Sequence, residues 1–257
     1  MNLVHALYGL QSLSSEHKIV RSFLQNLIPK FASCEEFLTA QNVAMSMYSL
    51  KNMNDDNPVV LQLLKVLKLK ISSSPSLGVL YTLTCQGFAM TIHGLQNMKS
   101  NSTELMELIH ILLPKLESCV EPLTAQNIGM SIQGLKNMSD DNPEVLQLLK
   151  ILTTKISSSP SQGKLYTLTS QQVAMIIQGL KSMTSNSDEL MELIKVLTPR
   201  IEASNEPLTA QNVAMIMNGL QGLDYNNPTV TQLIRILIPK LESCVQPITL
   251  HNKVALM

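Results

Sequence analysis

Between Thr39 and Met53 the apolar residues Val43, Ala44, Met47, Leu50 and Met53 fall three and four positions apart, the spacing of one buried stripe on a helix. Thr39 is placed to cap it, because a threonine hydroxyl accepts from backbone N–H groups that the first turn leaves unbonded. After a short polar turn, Asn57-Pro58 joins a capping side chain to a proline suited to the first helical position. Val60, Leu63, Leu64, Leu67 and Ile71 then form the apolar face of a second helix. We call these helix A and helix B. Alternate units start helix B with Ser102-Thr103-Glu104 or Ser187-Asp188-Glu189, which cap and place carboxylates in the positive first turn. Prolines 29, 114, 199 and 239 fall late in helix B, predicting a kink or a loosened last turn.

The pair of patterns repeats. Leu38-Thr39-Ala40-Gln41 returns as Leu83-Thr84-Cys85-Gln86, Leu123-Thr124-Ala125-Gln126, Leu168-Thr169-Ser170-Gln171 and Leu208-Thr209-Ala210-Gln211, at spacings of 45, 40, 45 and 40. The duplicated block is therefore two repeats long, and residues 38–122 align with 123–207 without a gap at about two-thirds identity. Ser72-Ser73-Ser74-Pro75 and Ser157-Ser158-Ser159-Pro160 open the longer connections. The units run 1–37, which lacks the opening turn, then 38–82, 83–122, 123–167, 168–207 and 208–247, with 248–257 as the start of a further helix. This organisation predicts an all-α chain, a single α-solenoid domain of tandem two-helix repeats, and reads as an excerpt from a longer array.

Composition agrees with thin helix layers. Four Phe, five Tyr and no Trp are few for a single-core domain of 257 residues, and fifteen Met share the apolar load with Leu, Ile and Val. No apolar run approaches the roughly 18 residues that span a bilayer, and no signal peptide is visible. Cys34, Cys119 and Cys244 occupy one repeat position, which Ser74, Ser159 and Ser204 hold elsewhere. Intervening repeats keep such positions too far apart to bond, so reduced thiols in a cytosol-like compartment are expected, whether bacterial or host cytoplasm or an organelle interior.

Leu-Thr-x-Gln-x-Val-Ala-Met, then Gly-Leu, then a Pro-initiated Leu-rich helix over 38 to 45 residues resembles the octotricopeptide repeats of organellar RNA-binding proteins. It is also similar to a short repeat of unassigned function in proteins of intracellular bacteria. Tetratricopeptide repeats have a 34-residue period that is absent here, whereas HEAT and armadillo repeats share the period found. The octotricopeptide resemblance implies an α-solenoid whose A helices line a concave surface and contact single-stranded RNA.

The residues themselves can be asked the same question. A small residue and a leucine recur in Tyr8-Gly9-Leu10, Tyr48-Ser49-Leu50, His93-Gly94-Leu95, Gln133-Gly134-Leu135, Gln178-Gly179-Leu180 and Asn218-Gly219-Leu220. A mid-helix glycine costs about 1 kcal/mol against alanine, so something approaches closely, either a neighbouring helix or a ligand. On helix A, Gln41, Met45, Tyr48 and Asn52 share one face. Their equivalents form columns: Gln86, Gln126, Gln171 and Gln211; then Met90, Met130, Met175 and Met215; then Tyr8, His93, Gln133, Gln178 and Asn218; then Asn97, Asn137 and Ser182. Amides, hydroxyls and π-faces suit unstacked bases, which makes the variable third column the candidate reader at one base per repeat, with the fourth assisting. The same stripe also fits plain solvated helix surface.

Nineteen basic and nineteen acidic residues cancel, whereas nucleic-acid binders commonly carry a basic excess. The cations are nonetheless ordered. Lys30, Lys70, Lys115, Lys155, Arg200 and Lys240 hold one position late in helix B, where they could track phosphates or complement the helix dipole. Lys65, His110, Lys150, Lys195 and Arg235 form a second column a turn or so earlier. His5, His17, His93, His110 and His251 are scattered and give no metal-ligand spacing, and no nucleophile motif or phosphate loop occurs. The expectation is a non-enzymatic, cofactor-free array that binds single-stranded RNA. The alternative is a scaffold of the HEAT or armadillo kind for a protein segment, or for another copy bound end to end, with no membrane contact.

Overall fold

The structure, a computed structural model, describes residues 2–75, 78–99, 102–184 and 186–244. The proposed partial unit 248–257 lies outside them. The described residues form helices and no strand: α1 (Asn2–Tyr8), α2 (Lys18–Ser33), α3 (Ala40–Tyr48), α4 (Pro58–Ser73), α5 (Cys85–His93), α6 (Thr103–Glu117), α7 (Ala125–Gln133), α8 (Pro143–Ser158), α9 (Ser170–Gly179), α10 (Asp188–Glu202), α11 (Ala210–Leu220) and α12 (Pro228–Glu242). Odd-numbered helices are A and even-numbered helices are B. The chain divides into two compact halves, Met1–Glu121 and Pro122–Met257, with the division beside the start of the fourth repeat at Leu123. In the first half α1, α3 and α5 pack side by side, as do α2, α4 and α6. In the second, α7, α9 and α11 form one row and α8, α10 and α12 the other. Each half is an α-solenoid of two-helix repeats.

The A helices from α3 onward have nine to eleven residues, too short to persist alone. Their ends and their neighbours hold them. Thr39, Thr84, Thr124, Thr169 and Thr209 each accept from a backbone N–H three residues on, and Asn127, Gln172 and Asn212 complete reciprocal capping boxes. The next orphan N–H is met from the connection that follows the repeat. After the longer connections this is a carbonyl, Leu80 for Ala40 and Leu165 for Ala125, each at 2.8 Å. After the shorter ones it is a carboxylate, Glu121 for Cys85 at 2.7 Å and Glu206 for Ser170 at 3.0 Å. Gly78 and Gly163, at φ of +108° and +107°, supply the left-handed turns that the longer route needs.

Helix B begins as expected, with Asn57, Asn142 and Asn227 capping ahead of proline and Ser102 and Ser187 capping the alternates. The internal prolines do not end it: α6 and α10 continue three residues past Pro114 and Pro199. All four prolines are exposed, so water can take the carbonyls that lose their helical partner.

Leu50, Met53, Leu63, Leu64, Leu67 and Ile71, with their equivalents in the third, fourth and fifth repeats, are fully or almost fully buried, each worth about 1.5–3 kcal/mol. Buried aspartates join consecutive repeats. Asp55 accepts from Lys99 N and Ser102 Oγ, both at 2.9 Å, and Asp140 accepts from Thr184 N at 2.8 Å and Ser187 Oγ at 2.9 Å. Each therefore ties one interhelix turn to the next repeat's turn and helix B cap. Between B helices, Lys65 pairs with Glu104 at 3.1 Å and Lys150 with Glu189 at 3.0 Å, surface pairs that solvent screens and that add little to stability. The first repeat leaves apolar residues uncovered: Ile19 is 80 % exposed, while Val59, its counterpart in the second repeat, is 9 % exposed.

The recurring small residue answers to a neighbouring helix. A methyl group placed on Gly94 would overlap the Met47 carbonyl, on Gly179 the Ile132 carbonyl and on Gly219 the Ile177 carbonyl, each belonging to the A helix of the preceding repeat. Gly9 has no such neighbour; its methyl would meet the Ala6 carbonyl of its own helix at 3.4 Å. Gly179→Ala should therefore lower stability by about 2 kcal/mol or more, overpacking outweighing the gain in helix propensity. Gly9→Ala should be neutral or stabilising by up to about 1 kcal/mol. Denaturation followed by circular dichroism separates the two.

Candidate nucleic-acid interface

Helix A carries its four candidate columns along one side, and they fare differently. Gln41, Gln86, Gln126, Gln171 and Gln211 stand at the second helical position and are exposed. Met45, Met90, Met130, Met175 and Met215 are half-buried, with part of each thioether chain outward. In the third column, Tyr8, Tyr48, Gln133, Gln178 and Asn218 are half-buried and His93 is 9 % exposed. The close helix approach at the glycines brings this column into lateral contact. Tyr8 and Tyr48 stack with ring centroids 6.0 Å apart and planes 29° apart; Tyr48 and His93 follow at 5.6 Å and 27°. In the second half Gln133 Nε2 donates to Gln178 Oε1 at 3.4 Å. The ring faces thus meet one another, while the Tyr8 and Tyr48 rings keep part of their surface outward.

The fourth column binds backbone. Asn52 Nδ2 donates to the Gln11 carbonyl at 2.9 Å, Asn97 Nδ2 to the Lys51 carbonyl at 2.8 Å and Ser182 Oγ to the Lys136 carbonyl at 2.9 Å. Each acceptor lies just past helix A of the preceding repeat, so this column fastens repeats together. Asn137 is half-buried at the equivalent position.

The late helix B cations likewise turn inward. Arg200 donates to the Ile156 and Pro160 carbonyls at 2.7 Å and to Ser159 at 2.5 Å. Lys115 donates to Pro75 O at 2.9 Å, Lys70 to Cys34 O, and Lys240 to Glu202 O at 3.2 Å and to Ser204 O. These acceptors lie at or just past the C-terminus of the preceding helix B, where unbonded carbonyls gather. Lys115 and Arg200 are 3 % and 7 % exposed, and burial pushes both pKa values down. Burial also lowers Lys240, against the opposing pull of Glu202. Lys155 is half-buried and Lys30, in the first repeat, is exposed. As phosphate contacts, Lys70, Lys115, Arg200 and Lys240 are thus at a disadvantage that the sequence did not reveal: backbone carbonyls already hold them.

No family model and no curated protein matches this sequence. The reading of the surface therefore rests on its own geometry.

Cations that the repeat alignment left unremarked lie closer to the third column. One residue past the small-Leu pair, the chain has Gln11, Lys51, Gln96, Lys136, Lys181 and Gln221. Lys51 Nζ sits 4.4 Å from the Tyr48 ring centroid and donates to its hydroxyl at 3.2 Å, a cation–π contact on the polar stripe. The signal in the sequence is a column at fixed register that holds either Lys or Gln. No cluster of metal-ligating side chains occurs among the described residues, and no described helix is long and apolar enough to cross a membrane. Burial, and then the neighbouring Glu121, push the Cys85 thiol above its ordinary range, away from the thiolate that a nucleophile needs.

If the late helix B column serves the fold, Arg200→Met should lower stability by about 2–3 kcal/mol, because buried carbonyls lose a charged donor. Lys30→Met, at an exposed side chain, should stay within about 0.5 kcal/mol. Chemical denaturation of both variants measures the difference.

Proposed function

We propose that this chain binds single-stranded RNA along its helix A stripe, one base per repeat. The third column, Tyr8, Tyr48, His93, Gln133, Gln178 and Asn218, reads the bases, with the outward glutamines and methionines as platform. The observation that carries the reading is the lateral contact of the third column in both halves, as a π ladder in one and an amide pair in the other. Within each half it yields a strip of flat and hydrogen-bonding groups, the chemistry by which repeat proteins discriminate unstacked bases. The ring spacings of 5.6 and 6.0 Å exceed the roughly 3.4 Å rise of a stacked strand. Bases in register with the repeats would therefore be unstacked from one another, which selects a single strand over a duplex. The fourth column then acts indirectly, by holding the readers in register. The resemblance to octotricopeptide repeats points the same way.

A second reading has one observation in its favour. Ile19, at 80 % exposed, and Phe23, at 45 %, present apolar surface on the first helix B, and such surface suits a protein segment or a second copy. Selection decides between the two. A random RNA pool passed over the protein should yield an enriched motif of about six bases, and Gln178→Ala should change the preferred base at one position. Affinity lost evenly over all sequences would remove the code, and failure to retain RNA would favour the protein scaffold.

A further inference from the structure

On the B helices Lys65, Lys70, Lys115, Lys150, Arg200 and Lys240 are held by carboxylates or carbonyls, and Lys51 rests on Tyr48. Lys136 and Lys181 differ. Among the described residues neither side chain has a hydrogen bond or an ion pair, although they occupy the same register in consecutive repeats of the second half. Their backbones explain where they stand. Past helix A the chain tightens into i to i+3 turns, with Lys136 N donating to Gln133 O and Lys181 N to Gln178 O, both at 3.3 Å. Side chains three apart eclipse in such a turn, so each lysine overlies the third-column glutamine of its own repeat. Ser182 Oγ, bonded to the Lys136 carbonyl, ties the two turns together.

The arrangement is unfavourable for the protein alone. Lys136 is half-buried and Lys181 exposed, and no anion among the described residues offsets the charge they share. Burial, and then repulsion from Lys181, hold the Lys136 ammonium below the ordinary lysine range. An anion lying between the two ammonium groups would offset their repulsion, and a strand following the glutamines would bring one in each singly charged phosphodiester. We infer that Lys136 and Lys181 form a phosphodiester-binding site beside the Gln133 and Gln178 readers. The inference rests on the RNA-binding reading and gives it an electrostatic term that late helix B does not readily supply. A strand on this half would have its bases over the glutamines and its phosphates over the lysines one turn further on.

The test uses the whole chain and a fluorescent mixed-sequence single-stranded RNA about twelve nucleotides long, titrated by anisotropy from about 50 to 200 mM salt. For single strands the log–log salt slope changes by about 0.7 per phosphate contact. Lys136→Gln with Lys181→Gln should therefore flatten the slope by about 0.7–1.4. Lys65→Gln with Lys150→Gln, which removes the same charge from ion-paired positions on helix B, should leave the slope unchanged. The unliganded Lys136/Lys181 variant should melt no lower than the parent, because repulsion has been removed. An unchanged slope, or equal flattening by both pairs, overturns the inference and leaves RNA binding intact. A lower melting midpoint with an unchanged slope assigns the lysines to the fold and overturns it as well. If the parent chain retains no RNA, the inference and the reading beneath it fall together.

Discussion

The A helices α3 and α5, α7 and α9, and α9 and α11 touch backbone to backbone. At Gly94, Gly179 and Gly219 even a methyl group would overlap a carbonyl of the preceding A helix, so the repeats stand as close as two helices can. Much of the surface depends on this approach. It brings Tyr8, Tyr48 and His93 within stacking range, lets Gln133 reach Gln178, and places Asn52, Asn97 and Ser182 against carbonyls of the previous repeat. The glycines beside His93, Gln178 and Asn218 therefore act on the reader column indirectly, by setting its pitch.

That pitch sorts the polar residues of the array. Buried aspartates, the fourth column of helix A and the late cations of helix B all bond to an adjacent repeat, and following connections cover the N-termini of the A helices in both halves. A solenoid without long-range contacts is only as ordered as its nearest-neighbour interfaces, and these bonds give each interface a defined register. What faces outward is the first column of glutamines, part of the methionines, the third column and the lysines beyond it. Much of the positive charge is bound to carboxylates or backbone carbonyls of the array, and the cations beside the readers are few.

Features that depend on one repeat were legible in the sequence. Threonine caps, Asn-Pro starts and three-and-four spacings are local, and they gave the helices and their order. Features that depend on two repeats were not, because their partners lie 36 to 47 residues away at positions the pattern does not label. Arg200 is the clearest case. Its place near a helix C-terminus suggested either a phosphate contact or its own helix dipole, but it serves the C-terminus of the preceding helix B. The late prolines lie on the solvent side, where a lost backbone bond costs little, and helix B runs on past them. Lys136 and Lys181 were passed over because their significance lies in the absence of a partner, which becomes visible once neighbours are in place.

The central claim is that bases lie on the outward face of the A helices, and photocrosslinking reads this most directly. With 4-thiouridine in a bound single strand and the adducts located by mass spectrometry, the account predicts crosslinks in α1, α3, α5, α7, α9 and α11. They should centre on Tyr48, Gln133, Gln178 and the methionine one turn before each. Crosslinks confined to the B helices, or none under conditions in which RNA is bound, would contradict it.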